Sequence, residues 1–293
     1  MILYFLYKLG RWIAMLLPLR LAYGAAVFLS GFKFFFRREE REAMIANLKQ
    51  IVGEDNAKII KYPRLVYANF GKYLADFFRA DKVNKKFIEK YVRIEQLYHM
   101  DNALKKGKGA IGLTAHLGNW ELSAQILAVI GYKMNAVALT HMHPRIDAFF
   151  TRQRAVSGMN VVPVGVGVRQ CFAALKRNEI VGILGDRDFS GEHGIIVDFL
   201  GKSMLAPRGP AVLSLRTGAA IVPAFVVRKE EDDRCFTYRF EEPIYPVKSG
   251  DEERDIRTIT EKYIKVIEQY IRQYPKQWFM FREFWKAEKV KIL

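Results

Sequence analysis

Hydrophobic residues follow two different patterns along this chain. Residues 1–36 are almost entirely apolar, and four cations interrupt them: Lys8, Arg11, Arg20 and Lys33. Further along, short apolar runs alternate with segments whose apolar positions recur at helical spacing. The first pattern is typical of a segment that contacts lipid, and the second is typical of an α/β domain.

The apolar N-terminus has three structural interpretations. It can be a single spanning or re-entrant anchor, a pair of helices that lie in the membrane interface, or a pair of buried helices in a soluble protein. A spanning helix needs roughly 20 apolar residues, and the best window, residues 12–32, contains Arg20 and a kink-forming Pro18. The aromatic density and the basic flank favour membrane association. We predict a membrane anchor at residues 1–36 and one larger domain at residues 37–293.

The rest of the chain alternates between predicted strands and helices. Two charged amphipathic helices are predicted first, at residues 38–50 and 62–79. Strands are then predicted at residues 109–114, 134–139, 160–164, 180–184, 220–228 and 235–241, and helices at residues 120–130, 147–157, 169–176, 210–217 and 251–274. The last two strands are expected to pair antiparallel across a polar turn. This alternation predicts an α/β fold with a mostly parallel or mixed sheet flanked by helices, and functional residues are then expected at the carboxyl ends of strands.

The segment TAHLGNWE, residues 114–121, follows the first of these strands. Two residues five apart in one helix point about 140° away from each other. His116 and Glu121 can therefore meet only if His116 lies in the strand-to-helix turn and Asn119 caps the helix that carries Glu121. A carboxylate paired with an imidazole makes a general base that can deprotonate a hydroxyl. The alternative is that Glu121 complements the helix dipole and His116 is a hydrogen-bonded turn residue.

The charge balance indicates an anionic partner. Lys and Arg number 47 against 31 acidic residues, which gives a formal net charge of +16. Such a chain suits nucleic acid, an anionic membrane surface, a phosphorylated substrate or an acidic protein. The basic residues are spread along the sequence and no nucleic-acid recognition module is present, so we predict no nucleic-acid partner. The two cysteines form no disulfide or zinc pattern, which suits a reducing compartment.

Two further clusters follow predicted strands or precede predicted helices. Asp186, Arg187 and Asp188 come directly after the strand at residues 180–184. They can bind a polar head group, orient a catalytic histidine, coordinate a cation, or simply pair with one another at the surface. Arg208 precedes a Gly-Pro helix start, whose exposed N–H groups suit an anion, although ordinary helix capping explains the same sequence.

No cofactor or metal is predicted. His141, His143 and Asp147 lack the further ligand that would complete a metal site. The sequence contains no phosphate-binding Walker loop, no dinucleotide fingerprint and no GxSxG nucleophile motif. A covalent serine mechanism therefore has no support.

The ordered set of motifs resembles the lipid A biosynthesis acyltransferases, the lauroyl/myristoyl branch of the glycerolipid acyltransferase superfamily. The similar segments are HxxxxE at residues 116–121, HPRID at 143–147, DRD at 186–188, VDFLG at 197–201, GPA at 209–211 and TGA at 217–219. The resemblance runs over nearly the whole chain, and the apolar N-terminus resembles the membrane anchor of the family.

This resemblance implies acyl transfer without a covalent enzyme intermediate. His116 would deprotonate a lipid hydroxyl, which attacks the thioester of acyl carrier protein or acyl-CoA, and Glu121 would hold His116. Arg145, Arg187 and Arg208 would bind phosphate on the acceptor or the donor, and Asp186 and Asp188 are expected to join them in substrate binding. The resemblance also implies a phosphorylated glycolipid acceptor, a membrane-surface location, and a cell inner membrane with the catalytic domain on the cytoplasmic side.

Other acceptors remain open. The DRD form at residues 186–188 also resembles the phosphatidylinositol mannoside acyltransferases of the same superfamily, and a lysophospholipid is a further possible acceptor. A non-enzymatic basic membrane-binding protein is the alternative outside the enzymes, and it predicts that His116 and Glu121 are dispensable.

Overall fold

Eleven α-helices and nine β-strands form the described part of the chain, which is residues 2–188 and 194–285 of a computed structural model. The helices are α1 (Ile2–Leu16), α2 (Leu19–Phe36), α3 (Arg38–Val52), α4 (Asn56–Phe78), α5 (Lys85–Tyr91), α6 (Tyr98–Leu104), α7 (Trp120–Val129), α8 (Pro144–Ala155), α9 (Val168–Lys176), α10 (Gly209–Thr217) and α11 (Glu252–Gln273). Short 3₁₀ turns occur at Ala80–Lys82 and Pro275–Gln277.

Seven of the strands form one mixed sheet, and two form a separate hairpin. The sheet strands are β1 (Val92–Glu95), β2 (Ala110–Thr114), β3 (Met134–Ala138), β4 (Asn160–Pro163), β5 (Ile180–Leu184), β8 (Ala220–Arg228) and β9 (Phe236–Phe240), and the hairpin consists of β6 (Ile195–Phe199) and β7 (Lys202–Ala206). The order across the sheet is β1-β9-β8-β2-β5-β3-β4. Only β8 and β9 pair antiparallel within it, and the other adjacent pairs are parallel.

Helices cover both faces of the sheet, so its central strands are buried on both sides. Helices α9, α10 and α11 pack on one face, and α6 and α7 pack on the other. Every residue of β8 is buried, in keeping with its nearly continuous apolar sequence. The predicted α/β class with a mixed sheet is confirmed, as is the antiparallel pairing of the last two strands.

The hairpin β6-β7 was not predicted, although its segment VDFLG was recognised as a motif. Its turn is made by Leu200 and Gly201, whose φ angles are +57° and +80°. A positive φ is unusual for leucine, so the sequence pattern does not predict this turn. The short elements α5, β1 and α6 were also missed. Residues 189–193 and 286–293 of the predicted larger domain lie outside the described part of the chain.

The apolar N-terminus forms two helices, which separate at the predicted kink at Pro18. Helix α2 packs so closely on α4 that a side chain at Gly71 would place its Cβ 2.7 Å from the carbonyl oxygen of Ala26. The outward side chains remain exposed and form an apolar face made of Ile2, Leu3, Phe5, Leu6, Leu9, Trp12, Leu16, Leu21, Phe28, Leu29, Phe32, Phe35 and Phe36. The two helices are therefore not buried within the fold, contrary to the third interpretation. By length and composition, α2 is a candidate membrane span.

Candidate active site

The histidine of the HxxxxE motif lies in the turn between β2 and α7, as predicted. We call residues 115–119 the catalytic loop. Asn119 caps α7, because its side-chain oxygen accepts a hydrogen bond from the Leu122 N–H at 3.1 Å. The loop also bonds to the C-terminal segment: the Gly118 N–H donates to the Gln277 carbonyl at 2.8 Å, and the Phe279 N–H donates to the His116 carbonyl at 2.9 Å.

Gly118 is required by the geometry of the loop. Its φ is +63°, and a Cβ at this position would lie 2.0 Å from the carbonyl oxygen of Val226. The backbone of the catalytic loop therefore lies directly against β8, and only glycine permits this approach.

Asp186 is the carboxylate that binds His116. Its Oδ1 lies 2.8 Å from the His116 Nδ1, and its Oδ2 accepts the His116 backbone N–H at 3.0 Å. The Trp278 indole N–H donates to the same Oδ2 at 3.5 Å. Since β2 and β5 are adjacent and parallel, their carboxyl ends bring His116 and Asp186 together across 70 residues of sequence.

The Asp186 carboxylate is fully buried, yet it stays ionised. Burial by itself raises the pKa of a carboxyl group, but the charge of His116 and the hydrogen bonds from its ring and backbone hold the pKa of Asp186 below its ordinary value. An ionised carboxylate at Nδ1 favours the tautomer with the proton on Nδ1, which leaves Nε2 able to accept a proton. This arrangement can act as a general base.

The predicted pairing of His116 with Glu121 is wrong. Glu121 lies in the first turn of α7 and points towards α8, where the Arg154 guanidinium donates to both of its oxygens at 2.7–3.1 Å. Both side chains are largely buried. The position of Glu121 on the helix was predicted correctly, but its side chain is paired with Arg154 of α8.

A cavity of about 550 Å³ opens beside His116. Three small residues lie in register across β2, β5 and β3: Gly112, Gly182 and Ala136. They form one wall of the cavity, and Ala124 and Leu127 of α7 form part of another. None of these three positions carries a side chain larger than a methyl group, and the Met134 side chain lies against Gly182. The volume and apolar lining of the cavity are typical of a site for a small molecule or a hydrocarbon chain.

The other predicted site residues are placed as follows. Arg187, Asp188 and Arg208 line the same cavity as His116 and Glu121, and Arg208 also pairs with Glu253 on α11. Asp186 lies behind His116, so its position fits the role of orienting a catalytic histidine and not that of touching substrate.

Arg145 is not brought to the cavity wall. It is exposed near the start of α8, where its backbone N–H donates to the His143 ring nitrogen at 3.2 Å. His141 lines the cavity, and its backbone N–H is bonded to Asp147. Within residues 2–188 and 194–285, no cluster of three His, Cys, Asp or Glu side chains could hold a metal ion.

Two members of the site were not predicted from the sequence. Arg154 lies on a helix whose pattern was recognised, but a single arginine there carries no signal of a buried partner. Trp278 lies beyond α11, in a C-terminal segment to which the sequence pattern assigns no role. Both become functional candidates only through contacts made across the fold.

Taken together, the site combines a partly exposed histidine and a fully buried carboxylate with an apolar cavity at the carboxyl edge of an α/β sheet, an arrangement typical of an enzyme active site. The model of the bacterial lipid A biosynthesis acyltransferases matches residues 1–287. The chain belongs to this family and is an acyltransferase. The non-enzymatic alternative is therefore not retained.

Similar proteins include acyltransferases for two different acceptors. The phosphatidylinositol mannoside acyltransferase of Mycobacterium tuberculosis H37Rv is 27% identical over 269 residues, covering 89% of this chain and 82% of that protein. The enzyme of the same name from Mycolicibacterium smegmatis is 26% identical over 288 residues, covering 96% and 91%. The lipid A biosynthesis acyltransferase of Haemophilus influenzae is 24% identical over 208 residues, covering 70% and 63%. The crystal structure of a 1-acyl-sn-glycerophosphate acyltransferase from Thermotoga maritima aligns over 92% of this chain and 96% of its own, with a TM-score of 0.40 and 14% identity.

Proposed function

We propose that this protein transfers a fatty acyl chain from a thioester donor to a hydroxyl of a phosphorylated glycolipid at the membrane surface, with His116 as general base and Asp186 as the residue that orients it. The observation that carries the proposal is the hydrogen-bonded pair of His116 and Asp186 beside an apolar cavity. Acyl carrier protein and acyl-CoA are the two candidate donors.

The chemistry follows from the tautomer that Asp186 selects. His116 Nε2 takes the proton of the acceptor hydroxyl while the oxygen attacks the thioester carbonyl carbon, and Asp186 stabilises the resulting imidazolium. The tetrahedral intermediate then collapses, the carbon–sulfur bond breaks, and the imidazolium returns its proton to the departing thiolate. The products are an ester and a free thiol, and no acyl group is attached to the enzyme.

The cavity is the proposed site of the acyl chain. Its wall of small residues, Gly112, Gly182 and Ala136, leaves room for methylene groups against the sheet. Burying each methylene contributes about 0.8 kcal/mol, so the binding of a long acyl chain there would be strongly favourable. The depth of this space would then set the preferred chain length.

Charged groups at the cavity are proposed to bind phosphate. Arg187 and Arg208 line it, together with Asp188. Arginine suits phosphate because its planar fork donates two parallel hydrogen bonds. Arg145 remains a candidate for binding phosphate at the protein surface. Glu121 remains a predicted catalytic residue, and it would act through its ion pair with Arg154.

The N-terminal helices are proposed to hold the enzyme on the membrane. Their exposed apolar face and the net charge of +16 suit an anionic bilayer surface. We infer a location on the inner membrane with the catalytic domain on the cytoplasmic side, and residues 1–36 as the anchor of the domain formed by residues 37–293. Polar contacts tie α1 to the domain, since the Arg11 guanidinium donates to Gln153 of α8 at 2.8 Å.

A lipid A precursor and a phosphatidylinositol mannoside are both candidate acceptors, because similar proteins are named lipid A biosynthesis acyltransferase and phosphatidylinositol mannoside acyltransferase. Radiolabelled acyl transfer from acyl carrier protein and from acyl-CoA to each acceptor would decide between them. We expect His116→Ala to abolish transfer to the true acceptor, whereas His99→Ala on α6, away from the cavity, should leave it intact. Transfer that survives in His116→Ala would contradict the proposed mechanism.

A further inference from the structure

A buried polar network connects an N-terminal apolar helix to the catalytic loop. It contains Tyr23 of α2, Asp76 of α4, Arg228 at the end of β8 and Asn119 of the catalytic loop. Tyr23 and Asn119 are 4% and 2% exposed, and the side chains of Arg228 and Asp76 are 6% and 9% exposed. None of the four residues has a place in the acyl-transfer chemistry described above.

Asp76 lies at the centre of this network. Its Oδ1 accepts a hydrogen bond from the Tyr23 hydroxyl at 2.5 Å, and its Oδ2 accepts one from the Asn119 side-chain amide at 3.0 Å. The Arg228 guanidinium forms an ion pair with Asp76 and also donates to the Tyr23 oxygen at 3.0 Å. A buried charge pair of this kind is stable only while all its partners are in place, so a shift of one member is transmitted to the others.

Asn119 connects this network to the loop that carries His116, the proposed general base. It lies three residues after His116, its side-chain oxygen caps α7, and its backbone N–H donates to the Val226 carbonyl at 2.8 Å. Asn119 therefore uses both ends of its side chain, one for the helix and one for Asp76. The position of Tyr23 on α2 thus bears on the conformation of the loop that carries His116.

We propose that Tyr23, Asp76, Arg228 and Asn119 are positioning residues for acyl transfer, so that α2 is a structural part of the active site as well as a membrane-contacting helix. This inference rests on the proposed role of His116 as general base. It predicts that the hydroxyl of Tyr23 matters for turnover even where no bilayer has to be bound.

Two mild substitutions in the full-length protein separate this role from anchoring and from folding. Tyr23→Phe removes one hydroxyl and keeps the ring packed on Arg228. Asn119→Ser keeps a good helix cap but cannot reach Asp76. In detergent micelles, each should lower kcat about tenfold and leave KM for the acyl donor unchanged. Tyr4→Phe on α1 is the matched control, and it should behave as wild type.

The double variant provides the decisive comparison. Because both residues act through Asp76, Tyr23→Phe combined with Asn119→Ser should have about the same kcat as the worse single variant. Hydrogen exchange in the backbone of residues 114–122 should rise in both single variants and stay unchanged in Tyr4→Phe. Additive effects on kcat, or unchanged exchange in residues 114–122, would overturn the inference. Exchange requires no turnover, so it tests the network even if the wild type transfers no acyl group, an outcome that would count against the proposed function alone.

Discussion

Replacement of Asp186 by asparagine tests the general-base assignment most directly. The buried carboxylate of Asp186 accepts hydrogen bonds from the His116 ring, the His116 backbone N–H and the Trp278 indole. An asparagine amide has only one accepting atom. If its oxygen faces the ring, its NH₂ group faces the backbone N–H of His116, and that mismatch costs about 1–3 kcal/mol. If its NH₂ group faces the ring, the imidazole proton moves to Nε2, which can then no longer accept the proton of the substrate.

Either orientation of the amide also removes the charge that stabilises the imidazolium. We therefore expect Asp186→Asn to lower kcat by about 10³–10⁴-fold with little change in KM, the size of effect seen when a histidine-orienting aspartate is replaced. Single-turnover transfer of a radiolabelled acyl chain to the identified acceptor, in detergent, measures this directly.

Glu121→Gln is the matched comparison for this experiment. It alters the carboxylate that the sequence pattern pairs with His116 but that the structure pairs with Arg154. Its kcat should fall much less, by about tenfold or less, because the His116 tautomer is unaffected. The assignment of Asp186 is refuted if Asp186→Asn stays within a few-fold of wild type while Glu121→Gln loses most of its activity.

Four further predictions concern the catalytic loop, the ion pair of Glu121 and Arg154, the cavity wall and the pH dependence of stability. Gly118→Ala should prevent correct folding or abolish activity, because its Cβ would overlap the Val226 carbonyl; circular dichroism and transfer assays test this, and a fully active variant would contradict it. Arg154→Met should lower the free energy of unfolding by about 3–5 kcal/mol by leaving a buried carboxylate unpaired, measured by denaturant titration, and Arg154→Met combined with Glu121→Leu should recover much of the loss. Gly112→Leu should shift the preference to shorter acyl chains, measured by competition between donors of different chain length. Gly112→Ala is the control, because its Cβ would lie at ordinary contact distances of 3.5 Å from Ile180 and 3.8 Å from Met100. An unchanged preference in Gly112→Leu would show that the cavity does not hold the acyl chain. The folded-state pKa of Asp186 is lowered, so its stabilising contribution should be present above about pH 4 and disappear as the pH falls through the lower folded pKa. The difference in denaturation midpoint between wild type and Asp186→Asn should therefore shrink as the pH falls over this range. A difference that grows on acidification would contradict the assignment.

Much of the architecture follows from local sequence patterns. The runs and periodicities predicted most of the sheet strands and the long helices, because burial on both faces of a parallel sheet demands continuous apolar residues. The position of His116 in a strand-to-helix turn, and of Asn119 as the cap, also follows from residues that are close in the sequence. The hairpin β6-β7 was missed because Leu200 adopts a conformation that its side chain does not favour.

The partners of the charged side chains could not be predicted in the same way. Because His116 and Glu121 are only five residues apart, the sequence predicts that they pair. In the structure, the strand order places the end of β5 beside the end of β2, and Asp186 therefore reaches the imidazole of His116. Glu121 instead pairs with Arg154 of α8, which lies 33 residues further along the chain.

The sequence alone determined the class of fold, the apolar N-terminus, the histidine and the family resemblance, because each of these depends on residue types and spacing along the chain. Only the tertiary structure decided which carboxylate orients His116, how three small residues leave a cavity, and how Tyr23 reaches the catalytic loop through Asp76. Hydrogen bonds and cavities depend on distances of a few ångströms between strands and helices far apart in the chain, and those distances exist only after the sheet order and the helix packing are established.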